Sequence, residues 1–525
     1  MRPLLLVALC ACACADSYPR QPGIDVQHYV FRVELRDDSS EISGETTVRL
    51  RIVQEGLSGM ALDLADAMHV DAVTSGGAPV AFEHRDGRLS LPLAGAHAGE
   101  MREFTVRYRG VPAGGLKILQ NKYGERCFFS SNWPDLAHQW LPTVDHPYDK
   151  ATGEFLVTAP ARYQVVANGA LEEEIDLGDG RRLTHWSQAV PIATWLYNIG
   201  VAQFASRHFG TAAGVPLETW VYHQDREAGI GTFEEASRRA VEFYSQRIGS
   251  YPYQKLADVE SAGNGGGMEH ASAIFFGERS VTGRPAFPLV AHETAHQWFG
   301  DSVTEKDWDD VWLSEGFATY FALLATEHYD GRDAFVAGLR RSRAQVLQAE
   351  KRLPGVAVVQ DKPWSGIPNA IVYQKGSWFL HLLRGQIGSE KFWAGIREYY
   401  RRYRDSNAST ADFRRVMEEV SGADLGWFFQ QWLYRAGTPA IEGGWRYDAA
   451  AKKIVVELAQ TQPGEPYRLP LEIQAGAKLE RIEMTRPQQR FEIAAESAPD
   501  AVTLDPNTWM LADLGQGLAR LPARQ

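Results

Sequence analysis

The feature that most restricts how this chain folds is His292-Glu293-Thr294-Ala295-His296, followed by Glu315 in Trp312-Leu313-Ser314-Glu315-Gly316. A spacing of four on a helix puts both imidazoles on one face, where they can hold one zinc ion. Glu293 lies one residue along, close enough to reach a water on that ion without binding the ion itself. Residues 297–314 are enough for the first helix to end, the chain to loop and a second helix to return with a carboxylate. Three protein ligands and a fourth position left to water make a hydrolytic zinc site. The bland alternative is a solvated helix that carries the motif by chance. The apolar flanks, Phe287-Pro288-Leu289-Val290-Ala291 before and Trp298-Phe299 after, argue against it. Two histidines and a glutamate are costly to bury there without a partner, and a metal supplies one.

The 525 residues are 44% hydrophobic and 11% aromatic, enough for three or four globular domains. A formal net charge of -12 with no offsetting basic stretch excludes a nucleic-acid or anionic-membrane partner. Arg340, Arg341 and Arg343 read as a solvated helix face.

Three of the four cysteines, Cys10, Cys12 and Cys14, lie near the N-terminus. One early positive charge, a short apolar run and small residues up to Ala15 read as a signal peptide over 1–15, too short to span a membrane. Cleavage after Ala13-Cys14-Ala15 fits the small-x-small rule. Leu9-Cys10-Ala11-Cys12 also resembles a lipoprotein signal, with a lipid anchor on Cys12. Either way the protein is expected to be exported, periplasmic or extracellular, as a soluble protein or a lipoprotein. Cys127 is then the sole cysteine of the body, so no disulfide framework is expected.

From about Ile24 to Phe204 apolar and polar residues alternate at period two, as in Tyr29 to Leu35 and Thr46 to Ile52, which predicts strands. Helical spacing then takes over. Thr232 and Glu235 form a T-x-x-E pattern that predicts a helix start, and further helices are expected at the zinc motif, at Glu315, over 378–386 and 390–404, and from a cap at Thr410. A short strand, Ala273 to Phe276, precedes the zinc helix. Alternation returns after Gly437-Thr438-Pro439 and predicts a closing β-sandwich of about 85 residues.

Four motifs resemble the gluzincin aminopeptidases, the family of aminopeptidase N and leukotriene hydrolase. They are Gly266-Gly267-Met268-Glu269, His292 to Trp298, Trp312 to Phe317, and Tyr373-Gln374-Lys375-Gly376. Their order and spacing match over roughly residues 25 to 435, and Pro142-Thr143-Val144-Asp145-His146-Pro147 is similar to the family's Pro-x-x-Asp-x-Pro turn. The resemblance implies a multidomain α+β fold: a saddle-like N-terminal β domain over 16–205, a thermolysin-like α/β zinc catalytic domain over 206–436, and a short C-terminal β-sandwich over 437–525. It implies one zinc ion per chain on His292, His296 and Glu315, with Glu293 as general base and Tyr373 stabilising the oxyanion. It also implies that Glu269, on the glycine-rich strand Gly266-Gly267-Met268, binds the free α-amine of a peptide substrate. An ammonium held at a fixed distance from the metal places the first peptide bond over it.

Two departures stand out. His270 occupies the place of the family's Asn, where it is either a packing change, a group that repositions Glu269, or a side chain that reaches the cleft. The family's second amine anchor, Gln or Glu about a dozen residues before Asp145, is either missing from Ser131-Asn132-Trp133-Pro134-Asp135 or replaced there by Asn132 or Asp135. Only a short β module follows Pro439 where relatives carry a long helical domain, which implies a more open cleft.

The leading expectation is a zinc-dependent aminopeptidase acting on peptides with a free N-terminus. A zinc endopeptidase or a small-molecule hydrolase with a weakened amine site is the alternative. An inactive scaffold on the same fold is the third reading, although the chain keeps every ligand, the base and the tyrosine. Oligomeric state and side-chain preference are open.

Overall fold

The computed structural model describes residues 16–360 and 367–522. The expected signal peptide, with Cys10, Cys12 and Cys14, lies outside the described residues. The N-terminal region is built on an eight-stranded sheet, in which Ile24–Glu34 lies parallel to Lys150–Pro160 and antiparallel to Ile42–Ile52. The alternation read from the sequence holds along these strands: Val48, Leu50 and Ile52 are fully buried, whereas Arg49 and Arg51 are exposed. A four-stranded and a three-stranded sheet complete the region.

The sheet behind the site has five strands, in the spatial order Phe204–Ala212, Val215–Tyr222, Leu256–Ser261, Ala273–Gly277, Gly267–Met268. The middle strands are parallel, and Gly267–Met268 is an antiparallel edge strand facing Phe276 and Phe275. Phe204–Ala212 belongs to this sheet, so the expected division at 205/206 cuts its first strand.

Among the described residues the longer helices are α1 (Arg226–Arg247), α2 (Phe287–His296), α3 (Trp312–Asp330), α4 (Arg332–Arg352), α5 (Gly376–Ile387), α6 (Ser389–Tyr403) and α7 (Thr410–Ser421). Two expected starts are corrected. Thr232 is not the cap of α1 but lies buried inside it. There its Oγ1 accepts from the backbone N–H groups of Thr282 and Gly283, so tertiary partners take the hydroxyl that would have capped a helix. The cap of α7 is Ser409, in a reciprocal box with Asp412, rather than Thr410. On α4, Arg340 and Arg341 are exposed as expected, whereas Arg343 donates to the Met510 carbonyl at 3.3 Å and docks the C-terminal region.

After Gly437 the chain forms a four-stranded and a three-stranded sheet. Ile454, Val456, Leu469, Leu471 and Ile473 from both are buried in the hydrophobic core. Among the described residues no helix is long and apolar enough to cross a membrane.

Candidate metal centre

Helix α2 begins with Pro288 in its first turn, where a missing N–H costs nothing, and ends at His296. The chain reverses through Gly300, whose φ of +115° and tight surroundings suit only glycine: an added Cβ would meet Ser314 Oγ at 2.3 Å and His296 Nδ1 at 3.1 Å. The short strand Val303–Glu305 and a turn at Trp308–Asp310 then lead into α3, whose first turn carries Glu315.

This return brings three atoms together. His292 Nε2 and His296 Nε2 are 3.2 Å apart, and each is 3.4 Å from Glu315 Oε2. Zinc bonds of about 2.0–2.1 Å in a tetrahedron require ligand atoms about 3.3 Å apart, so the trio has the spacing of such a site. His296 is 1% exposed and Glu315 5% in their side chains. Glu315 Oε2 has no hydrogen-bond partner although it is buried. With its proton on Nδ1, His296 donates to Ser314 Oγ (3.0 Å) and the Phe299 carbonyl (3.3 Å), which leaves the Nε2 lone pair for a metal.

The charges tell the same story. Burial disfavours ionisation of Glu315, but the imidazoles of His296 and His292 outweigh it and hold its carboxyl at about 2. Burial, reinforced by the neighbouring Glu269 carboxylate, pushes Glu293 well above the carboxylate range. Burial and the Glu315 carboxylate also raise Glu269. Three buried carboxylates converge on two imidazoles, and a divalent cation is the partner that would let all three ionise. The donor set fits zinc.

Glu293 and Glu269 reach this centre from opposite elements. Ligand atoms of His292, Glu293 and His296 lie within 4.8 Å of one another, as do those of Glu269, His296 and Glu315. Glu269 is 4% exposed, and its Oε1 has no protein partner. Gly267 leaves room for Glu293, whereas Gly265 and Gly266 face open space. Met268, on the same edge strand, is buried.

Tyr373 sits in a wide π-helical turn, Ile371–Lys375, just before α5. Its hydroxyl donates to Glu315 Oε1 at 2.5 Å, and its ring lies parallel to His292 with centroids 6.0 Å apart. Two glycines make this approach possible. An added Cβ on Gly316 would lie 2.9 Å from the backbone of Gly376, and one on Gly376 3.2 Å from Gly316 Cα. The glycine that ends each motif thus lets α3 and α5 touch and brings Tyr373 to Glu315.

Residues 233–432 match the peptidase family M1 domain, and residues 25–196 match the peptidase M1 N-terminal domain. The chain belongs to peptidase family M1. Among curated M1 relatives, glutamyl aminopeptidase from Rattus norvegicus is 26% identical over 63% of this chain and 37% of its own length. Tricorn protease-interacting factor F2 from Thermoplasma acidophilum is 27% identical over 87% of this chain and 59% of its own. The chain therefore spans between about a third and three fifths of these relatives. The crystal structure of an M1 zinc metallopeptidase from Deinococcus radiodurans superposes with a TM-score of 0.69, at 26% identity, over 79% of this chain and 94% of that one.

The geometry bears on both departures of this M1 chain. Of the three readings of His270 it favours the packing change: the ring is fully buried edge-on to Phe275, and burial with nearby Lys117 pushes its pKa down to about 3. It joins neither cluster of converging ligand atoms. Asn132 is no amine anchor, because its side chain donates to the Tyr197 carbonyl and accepts from Trp140 Nε1. Asp135 is exposed. The residue of that segment beside the centre is Trp133, which lines a recess of about 220 Å³ with Glu315, Val372 and Tyr373 and packs edge-on against Trp195 and Trp308.

Sequence reasoning also missed Gln297. Its Nε2 donates to the Glu269 carbonyl (2.9 Å) and Asp301 Oδ2 (2.8 Å), while its Oε1 accepts from Ser272 N–H (2.8 Å) and Tyr251 hydroxyl (3.0 Å). It ties the zinc helix to the Glu269 strand. Its place directly after His296 was the available signal.

Proposed function

We propose that the chain is a zinc-dependent aminopeptidase that removes N-terminal residues from peptides. The observation that carries this reading is the convergence of the His292, His296 and Glu315 ligand atoms at 3.2–3.4 Å, with Glu293 and Glu269 buried beside them. A zinc ion held there supplies a Lewis acid that polarises the scissile carbonyl and brings the pKa of water towards neutrality. Glu293 takes a proton from the attacking water as the oxygen bonds to the carbonyl carbon. It returns that proton to the leaving amine as the C–N bond breaks. Tyr373 donates its hydroxyl to the oxygen that gains charge. Glu269, whose buried Oε1 has no protein partner, accepts from the substrate ammonium and limits cleavage to the first peptide bond.

One observation favours a second reading, a zinc endopeptidase. Among the described residues Asn132 is committed to the scaffold and the apolar face of Trp133 lies beside the centre, where a second amine anchor was expected. Digestion of an unblocked decapeptide followed by mass spectrometry separates the two. Stepwise loss of single N-terminal residues, stopped by a chelator and restored by zinc, is the expected result. Internal fragments from the outset would replace the aminopeptidase with the endopeptidase.

Export through residues 1–15 is part of the proposal. Asp16, the first residue after the expected cleavage point, accepts from His146 Nε2 at 2.6 Å and from Arg20 at 2.9 Å, so a chain cut there would keep these contacts of the described body. The mass of the exported chain tests it: a start at Asp16 is expected for the soluble form, and a lipidated start at Cys12 for the anchored one.

A further inference from the structure

Lys375 has no part in the chemistry above, yet it stands two residues from Tyr373 with a side chain 1% exposed. Its Nζ donates to Glu350 Oε1 at 2.8 Å and to the Gly437 carbonyl at 2.8 Å. The other oxygen of Glu350 accepts from Thr438 Oγ1 at 2.8 Å. The Gly437 carbonyl accepts a second bond, from the hydroxyl of Tyr467 at 3.0 Å. Three segments therefore meet at one buried charge: the turn that bears Tyr373, the last turns of α4, and the junction into the C-terminal β domain.

We infer that Lys375 and Glu350 are positioning residues, a clasp that fixes Tyr373 over the metal centre and makes the C-terminal junction part of the catalytic apparatus. The inference rests on the aminopeptidase reading. The surroundings of the turn motivate the clasp. A π-helical turn closes i→i+5 hydrogen bonds in place of the i→i+4 bonds of an α-helix, a rare geometry found mostly at functional sites. On one side Gly376 bears on the backbone of Gly316 and fixes the turn to the helix of Glu315. On the other side Ile371 and Val372 pack into the core and Lys375 adds the charged contacts. A buried ion pair is a weak source of stability compared with apolar packing, so its signature is expected in rate rather than in folding.

The test compares wild type, Lys375→Arg and the double variant Lys375→Met/Glu350→Gln, which leaves no lone charge behind. Each is assayed for kcat and KM on an aminoacyl-fluorophore, for zinc content, and for affinity towards a phosphinic dipeptide with a free amine and towards the product amino acid. The double variant is expected to lose about 10- to 100-fold in kcat, the scale of a small misplacement of a reacting group. KM, zinc content and amino-acid affinity stay near wild type, while phosphinic affinity falls with kcat. Lys375→Arg recovers part of the loss. Thr438→Val, which removes a single bond to Glu350, is expected to lose about threefold in kcat alone and serves if the double variant does not fold. Unchanged kcat and phosphinic affinity in the variants of an active wild type would overturn the clasp alone. Equal losses in kcat, zinc and ground-state affinity would mark a merely structural role and overturn it too. A wild type that neither cleaves nor binds the phosphinic probe would overturn the reaction, and the clasp with it.

Discussion

Gly267 and Glu293 occupy adjoining space: a Cβ on Gly267 would lie 2.1 Å from the Glu293 carboxyl. The glycine thus makes room for the proposed base, and Gly265 and Gly266, which face open space, would leave room for a substrate backbone. Gly267→Ala is expected to push Glu293 off its position and lower kcat about 100-fold while zinc stays bound. Activity and metal content of the same preparation check this. Loss of zinc in parallel would mean that the strand, rather than the base, was displaced.

Tyr373→Phe removes the donor that lies against Glu315. The expected loss is about 10²–10³ in kcat, typical of an oxyanion donor, with zinc content and KM little changed. Steady-state kinetics on one aminoacyl substrate measures it. A loss confined to KM would place Tyr373 in ground-state binding instead.

Gln297→Leu cuts the ties from the zinc helix to the Glu269 carbonyl and to Ser272. Glu269 then loses its fixed distance from the metal, and KM is expected to rise for free-amine substrates more than kcat falls. Comparison of the two constants between wild type and variant decides. An unchanged KM would show that the Glu269 strand holds itself in place.

Burial pushes Asp258, which accepts from Ser237 Oγ at 2.5 Å, up to about 7. A carboxyl with a raised folded pKa holds its proton more tightly in the native state, so its contribution is intact below about 4 and is lost as pH rises towards 7. Asp258 is therefore expected to contribute a loss of thermal stability between pH 4 and 7, and Asp258→Asn to remove that contribution, so that the difference between the two proteins changes across the window. Melting curves of both proteins across the window test it. Parallel curves would remove Asp258 from the account.

Much of this was legible in the sequence because the chemistry demands particular spacings. The convergence of His292, His296 and Glu315 follows from helical periodicity and one loop, and the strands around Tyr29 and Val48 follow from period-two burial. The parts that were not legible depend on contacts between distant segments. Nothing local distinguishes Thr232 as an internal residue with tertiary partners from Thr232 as a cap. Asn132 looked available for substrate until Trp140 and Tyr197 were found to use it. The three readings of His270 stayed open because the sequence does not show Phe275 against its ring. Tyr373 entered through a family resemblance, and the physical reason for its place, the meeting of Gly316 and Gly376, appears only when α3 and α5 are packed.

The most direct test of the central claim is kcat/KM of the zinc-loaded protein for an aminoacyl-fluorophore and for its N-acetylated twin. The account predicts chelator-sensitive cleavage of the free amine, with the blocked form slower by at least about 10³, the scale expected when a buried carboxylate loses its charged partner. Equal rates on the two would contradict it, because the metal centre would then be working without Glu269 as an anchor for the ammonium.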